Sequence, residues 1–271
     1  MSTKGQSLKE ALQSAFAASV IVLCLAIGFA IYYVIMGDPN NFEGRNLLNG
    51  HAINYLGIIY RGGFIVPLLI AINLILITFS IERLISLMKA KGKGSLSTLI
   101  RNIRSLVNDD NIEDAIAVCD KQRGSLANVI KSGLHRYRTL QSDQTLQNDQ
   151  KVLSLQKDLE EASALEVPML SKNLVVLSTI ASISVLIGLI GTVLGMIRAF
   201  KALGNTGGAP DALALANGIS EALINTAFGI TGSTVAIIMY NYFSSRIDQM
   251  TFKIDEASFS LAQTFASTLK K

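Results

Sequence analysis

The stretch LIGLIGTVLGMIRAF, Leu186–Phe200, decides the fold. It is apolar enough to lie inside a bilayer, yet it carries Gly188, Gly191, Gly195 and the hydroxyl of Thr192. A glycine costs a helix about 1 kcal/mol relative to alanine, so this many need a reason. In a membrane span the commonest reason is a helix backbone that must come very close to another surface. Read at helical spacing, Ala181, Val185, Gly188, Thr192, Gly195 and Ala199 form a small-residue stripe. Further along, Ala222, Thr226, Gly229, Ser233, Ala236 and Tyr240 repeat the pattern. Gly191 and Gly195 also make a G-x-x-x-G pair. A membrane threonine ordinarily bonds back to its own helix and does nothing more. Here each stripe holds one near its middle, which points to a narrow polar path between apolar helices.

The rest of the chain fits a membrane setting. Of its 271 residues 50% are hydrophobic and 16% charged, with a mean hydropathy of +0.41. That balance is wrong for a soluble domain of this size. Four stretches approach the roughly 20 residues that cross a hydrocarbon core: Ser14–Met36, Gly63–Ile81, Leu174–Ile197 and Ile219–Phe243. The first is too long and wrongly flanked for a cleaved leader. The expected fold is an all-α membrane protein with four transmembrane helices.

Charge gives the orientation. Of the 24 Lys and Arg residues, 14 fall in 82–173, and only two in each of the segments 37–62 and 198–218. The positive-inside rule then puts 82–173 and both termini in the cytoplasm. The net charge of +4 is thus a topology signal, not a nucleic-acid footprint. Cys24 and Cys119 fall in different compartments of this plan, so neither a disulfide nor a metal framework is expected. No nucleophile is paired with a base, so the chain reads as no enzyme, and no cofactor is implied.

Glu82 and Arg83 sit where the second span meets the inner headgroups and read as an interfacial anchor. Arg83 and the MKAKGKGS run after it suit a boundary facing lipid phosphates. Residues 95–141 read as short amphipathic helices, with Leu96, Leu99, Ile100, Ile103 and Leu106 on one face. Ile112, Ala115, Ile116 and Cys119 make a second such face. From Ser142 to Phe200 only Pro168 breaks the pattern, so a helix of roughly 60 residues and about 90 Å is expected, half of it outside the membrane. Pro168 should kink it or end a segment. In the outer loop, Asn46 to Ile59 is either a short interfacial helix or a packed loop.

The third span holds no Asp, Glu, Lys or His, and the fourth only Glu221 near its outer end. A carrier built from this chain alone would need an intramembrane ionisable group. If protons move here, another polypeptide supplies the carboxylate.

LSTIASISVLIGLIGTVLGMIRAF followed by ANGISEALINTAFGITGSTVAIIMYNYF resembles the ExbB/TolQ/MotA proton-channel family, on its ExbB side. Ala216-Asn217-Gly218 stands where the family usually has Ala-Pro-Gly, and Leu194 where a tryptophan is common. The resemblance implies a homo-oligomeric ring, a pentamer, around a central pore in the bacterial inner membrane. Its parts would be an extra N-terminal span with a periplasmic loop (1–62), a second span (63–82), a cytoplasmic helical domain (83–173), two pore-lining spans (174–243) and a C-terminal cytoplasmic helix (244–271). It further implies an ExbD-like single-span dimer in the pore, bringing an aspartate, and a TonB-like protein that receives the work. Thr192, Thr226 and Glu221 match the family's pore residues, and Ser233 joins them as a polar group on the same stripe. Gly188, Gly191, Gly195 and Gly229 would pack helices. Membrane lipids are the remaining partner. The alternatives are a TolQ- or MotA-like stator for envelope maintenance or motility, and a membrane scaffold that conducts nothing.

Overall fold

The computed structural model describes residues 18–45, 47, 50–204 and 212–269. Among these residues every extended regular element is a helix; the single β-bridge pairs Phe42 with Ala52. The helices are α1 (Ala18–Met36), α2 (Tyr55–Tyr60), α3 (Ile65–Lys91), α4 (Leu96–Asn108), α5 (Ile112–Gln122), α6 (Ser125–Ser142), α7 (Asn148–Ser171), α8 (Leu174–Gly204) and α9 (Ala212–Thr268). Four of the described helical stretches are long and apolar enough to cross a membrane. Ser14–Ala17, the start of the expected first span, lie outside the described residues.

The chain divides into two compact units. The first gathers the described residues of Met1–Ser80 and Val175–Tyr240. Here α1 winds into a π-helix over Ile31–Met36, and Tyr32 donates its hydroxyl to the carbonyl of Tyr60 at 2.9 Å. Tyr32, Met36, Val66 and Ile70 form a buried cluster, with Ile224 and Phe228 packed on it. Gly28 allows α1 to meet α3: a Cβ there would lie 2.9 Å from the Pro67 carbonyl oxygen. The outer loop is held by asparagines. Asn41 donates to the carbonyls of Ile35 and Met36, and Asn54 caps α2 by accepting from the Gly57 amide. Of the stretch Asn46–Ile59, only the part from Tyr55 is helical, while Asn46, Leu48 and Asn49 lie outside the described residues.

The second unit comprises Ile81–Leu174 and Asn241–Lys271. The faces expected for α4 and α5 need one adjustment. Ile112, Ala115, Ile116 and Cys119 are all buried, but on α4 the buried row is Leu99, Ile103 and Val107, with Leu96, Ile100 and Leu106 at its edge. A strict i, i+4 row is the narrow contact line of a helix, so the outer leucines flank it. Tyr137 is the largest fully buried side chain; its ring centre lies 4.5 Å from that of Phe265, and its hydroxyl 3.0 Å from that of Thr268.

The helix of roughly 60 residues expected from Ser142 is instead two helices with a turn before them. After α6 ends, the Asp143 carboxylate accepts from the amide and hydroxyl of Thr145, a local bond that competes with helix. Gln147 and Gln150 then exchange bonds in a capping box that starts α7. Pro168 lies inside α7, which ends three residues later at Ser171. Its break is made by Asn173 at φ 60°, a left-handed conformation that asparagine tolerates better than most residues. At the other end, α9 begins at Ala212, before the expected Ile219.

Both cysteines are free and buried, and burial pushes the Cys119 thiol up to about 12. At neutral pH it therefore holds almost no thiolate, so thiol reagents should react with the native chain very slowly. That makes a direct test of orientation possible on the natural background. Cysteine placed at the exposed Asn108 should resist membrane-impermeant maleimide in intact cells and react after lysis. Efficient labelling of intact cells would reverse the topology.

Candidate functional site

Within the first unit, the small residues of α8 and α9 bring the two backbones into contact. A Cβ on Gly188 would lie 2.9 Å from the Asn225 carbonyl oxygen and 3.1 Å from the Gly229 Cα. One on Gly229 would meet the Ser184 carbonyl oxygen at 2.8 Å, and one on Gly195 the Ala222 amide nitrogen at 2.7 Å. Gly191 leaves room for the Asn225 side chain, whose Cβ a methyl there would approach to 2.4 Å. All but the 3.1 Å contact are shorter than real Cβ contacts, so a side chain at any of the four positions would force a shift.

The buried seam is rotated slightly from the stripes drawn on the sequence. It runs through Ser184, Gly188, Gly191, Gly195 and Ala199 on α8, and through Gly218, Ala222, Asn225, Gly229, Gly232 and Ala236 on α9. Thr192 and Thr226 are both half-buried at its edge. Their hydroxyl oxygens lie 3.2 Å apart. Thr192 also reaches the Leu189 carbonyl at 2.9 Å and that of Gly188 at 3.3 Å; Thr226 reaches the Ala222 carbonyl at 3.2 Å. Each hydroxyl has one proton and two lone pairs. When both donate backwards, nothing bridges the two oxygens; when one swings to its neighbour, a carbonyl loses its donor. The pair therefore has a spare acceptor site and more than one proton arrangement.

Beside Thr192, the side chains of Val193, Met196, Ile197 and Phe200 line an open groove of about 490 Å³. Val193, Ile197 and Phe200 are more than half exposed. One hydroxyl thus edges an otherwise apolar trough.

The other expected site residues are placed differently. Ser233 is buried and donates to the Ala181 carbonyl at 2.5 Å, so it ties α9 to α8. Glu221 is buried and accepts both bonds from one nitrogen of the more exposed Arg198, at 2.5 and 2.6 Å. Gly63, at φ 75°, makes room for that carboxylate, since a Cβ there would lie 2.2 Å from Oε1. Neither Glu221 nor Ser233 contacts the threonine pair through a hydrogen bond among the described residues.

In the second unit, Arg83 departs from its expected place at the lipid phosphates. Its side chain is 3% exposed and holds Glu82 through Nε at 2.7 Å and Nη2 at 2.6 Å. Asn173 and Ser86 also donate to that carboxylate. A buried guanidinium needs such a partner more than it needs the headgroups.

Asn225 is a site residue that the small-residue stripes do not include. It is fully buried, and its amide donates to the Gly62 carbonyl at 2.9 Å, fixing the entry to α3 against α9. Gly218, Ala222, Asn225, Gly229 and Gly232 recur at i+3 and i+4 as regularly as the row through Thr226, so spacing alone does not choose between the two faces.

The sequence profile of the MotA/TolQ/ExbB proton channel family matches residues 121–256. The chain belongs to that family. Among its curated relatives, a biopolymer transport protein of Synechocystis, ExbB-like 3, is 38% identical over 32% of this chain and 42% of its own. An ExbB homolog of Methanothermobacter thermautotrophicus is 26% identical over 75% of this chain and 69% of its own. The Tol-Pal system protein TolQ of Pseudomonas aeruginosa is 31% identical over 45% of this chain and 52% of its own. The chain thus spans between about two fifths and just over two thirds of these relatives. All the residues of the α8–α9 seam lie inside the matched region of this MotA/TolQ/ExbB member.

Proposed function

We propose that this chain is an ExbB-type motor subunit of the bacterial inner membrane. In this reading five copies form a ring, with α8 and α9 of each facing a central pore. A dimer of an ExbD-like single-span protein occupies the pore and carries the titrating aspartate, because the described part of α8 offers no carboxylate of its own. Proton flow moves that partner, and a TonB-like protein carries the work to transport at the outer membrane.

The observation that carries the reading is the Thr192–Thr226 pair beside the apolar groove. A carboxylate arriving on a partner helix would find a hydroxyl that can donate to it when charged. When protonated, it could instead donate to one of the paired oxygens. The pair offers such a group one favourable contact in each protonation state, at little cost in reorganisation.

Native mass spectrometry of the chain in mild detergent, alone and co-expressed with a single-span, aspartate-bearing membrane protein, tests the assembly. Five copies, with two of the partner after co-expression, are expected. Monomers alone would defeat the proposal. The likeness to TolQ supports a second reading, a stator for envelope maintenance. A peptidoglycan-binding domain on the co-purifying partner would favour it.

A further inference from the structure

One groove of the second unit has about 1110 Å³ of space and belongs to neither the threonine pair nor the Arg83–Glu82 pair. Its two walls come from Leu84–Ser97, the end of α3 and the loop after it, and from Tyr242–Lys253 of α9. The floor is apolar: Leu87, Phe243 and Met250 are buried there, while Leu84 and Met88 remain 44% and 65% exposed along its side. The rim is basic. Lys91 and Arg246 are exposed, and neither has a carboxylate within ion-pair reach among the described residues. Arg246 instead lies over the Tyr242 ring, 5.3 Å from its centre. Lys253 adds a third cation but is neutralised by Glu256 at 2.6 Å, and Asp248 is the acid in the lining. The loop that follows Lys91 is held in place, because the Lys93 amide donates to the Gln122 carbonyl at 2.7 Å.

We propose that this groove binds one anionic phospholipid of the inner leaflet. The proposal rests on the inward orientation of residues 82–173 and is independent of the motor reading. Two unpaired cations from different helices, set above a row of exposed apolar side chains, match a molecule with a phosphate at one end and acyl chains at the other. A free phosphate would leave Leu84 and Met88 facing water, and an uncharged apolar segment would leave Lys91 and Arg246 without a counter-charge. The guanidinium can hold two phosphate oxygens at once, while Lys91 supplies a point charge beside it.

The test uses the purified full-length chain, stripped of lipid in mild detergent. Phosphatidylglycerol and phosphatidylcholine of identical acyl chains are titrated in native mass spectrometry. Phosphatidylglycerol should bind at least tenfold tighter, at one per copy. In Lys91→Gln with Arg246→Gln its affinity should fall about 25-fold, roughly fivefold for each lost charge near the surface. Both residues are exposed, so an unchanged melting temperature serves as the folding control. Met88→Gln should weaken phosphatidylglycerol while the melting temperature holds. Equal binding of the two lipids, or undiminished binding by the double variant, would overturn the site. So would displacement of the lipid by millimolar inorganic phosphate, which would make it a free-anion site. A disulfide forming readily between copies that carry Leu84→Cys and Phe252→Cys would assign the groove to a second copy and overturn the proposal as well.

Discussion

A chain carrying Thr192→Val and Thr226→Val assembles with its partner and no longer energises transport. Valine keeps the β-branch and nearly the volume, so the backbone contacts of the seam are untouched. Removing a hydroxyl bond in a membrane costs about 0.6 kcal/mol on average, and at most about 1.7. Neither single change orphans its neighbour: with Thr192 gone, Thr226 still donates to the Ala222 carbonyl, and with Thr226 gone, Thr192 still reaches that of Leu189. The expected loss of assembly is therefore small. The loss of function is expected to be nearly complete, because the proton arrangements disappear together. Each single variant should fall most of the way. Thr179→Val is the control, since its hydroxyl is exposed and bonds only the Val175 carbonyl of its own helix. Full transport in the double variant would reduce both residues to packing and remove the claim for a polar path.

That experiment depends on a distinction the sequence drew only partly. The presence of four spans and their all-helical character followed from hydropathy alone, because twenty apolar residues in lipid have few other ways to satisfy their backbone. The threonines were legible as hydroxyls set among small residues. Their separation of 3.2 Å was not, because it depends on the rotational setting of two helices, which glycine spacing constrains only to about one residue. The same uncertainty put Ser233 on the path, where the fold uses it as a strap to Ala181. Ion pairs were harder still. Arg198 reads as a charge at a helix end, and only the turn at Gly62–Gly63, brought in from the distant start of α3, explains why Glu221 is buried beside it. On a span taken by itself, Arg83 has only the headgroups as a partner. The carbonyl of Leu170 and the side-chain amide of Asn173, 87 and 91 positions away from their partners, enclose the pair. Local signals gave each helix; contacts between helices assigned the polar groups.

Gly195→Val is the second expected large effect, and of the opposite kind. Its new Cβ would point at the Ala222 nitrogen at 2.7 Å and the Gly218 oxygen at 2.8 Å, both backbone atoms that cannot rotate away. The two helices must separate, which strips contacts from the whole seam and strains the Ser233–Ala181 bond at its far end. Overpacking a close-packed site usually costs 1–3 kcal/mol, and a backbone-to-backbone clash belongs at the top of that range. The melting temperature in mild detergent should drop by roughly 5–10 °C, with the assembled ring lost in proportion. Gly191→Ala should lower the melting temperature too, because the atom it meets first is the Asn225 Cβ at 2.4 Å, which moves only with its backbone, on a buried side chain already held by the Gly62 carbonyl. Val193→Ala, on the exposed side of α8, should leave the melting temperature within a degree or two. The two kinds of variant then separate the roles of adjacent positions: the threonine changes remove activity and spare the fold, whereas Gly195→Val removes the fold first. A Gly195→Val chain that melted with the wild type would mean that α8 and α9 do not meet at this register, and the placement of the hydroxyl pair would fall with it.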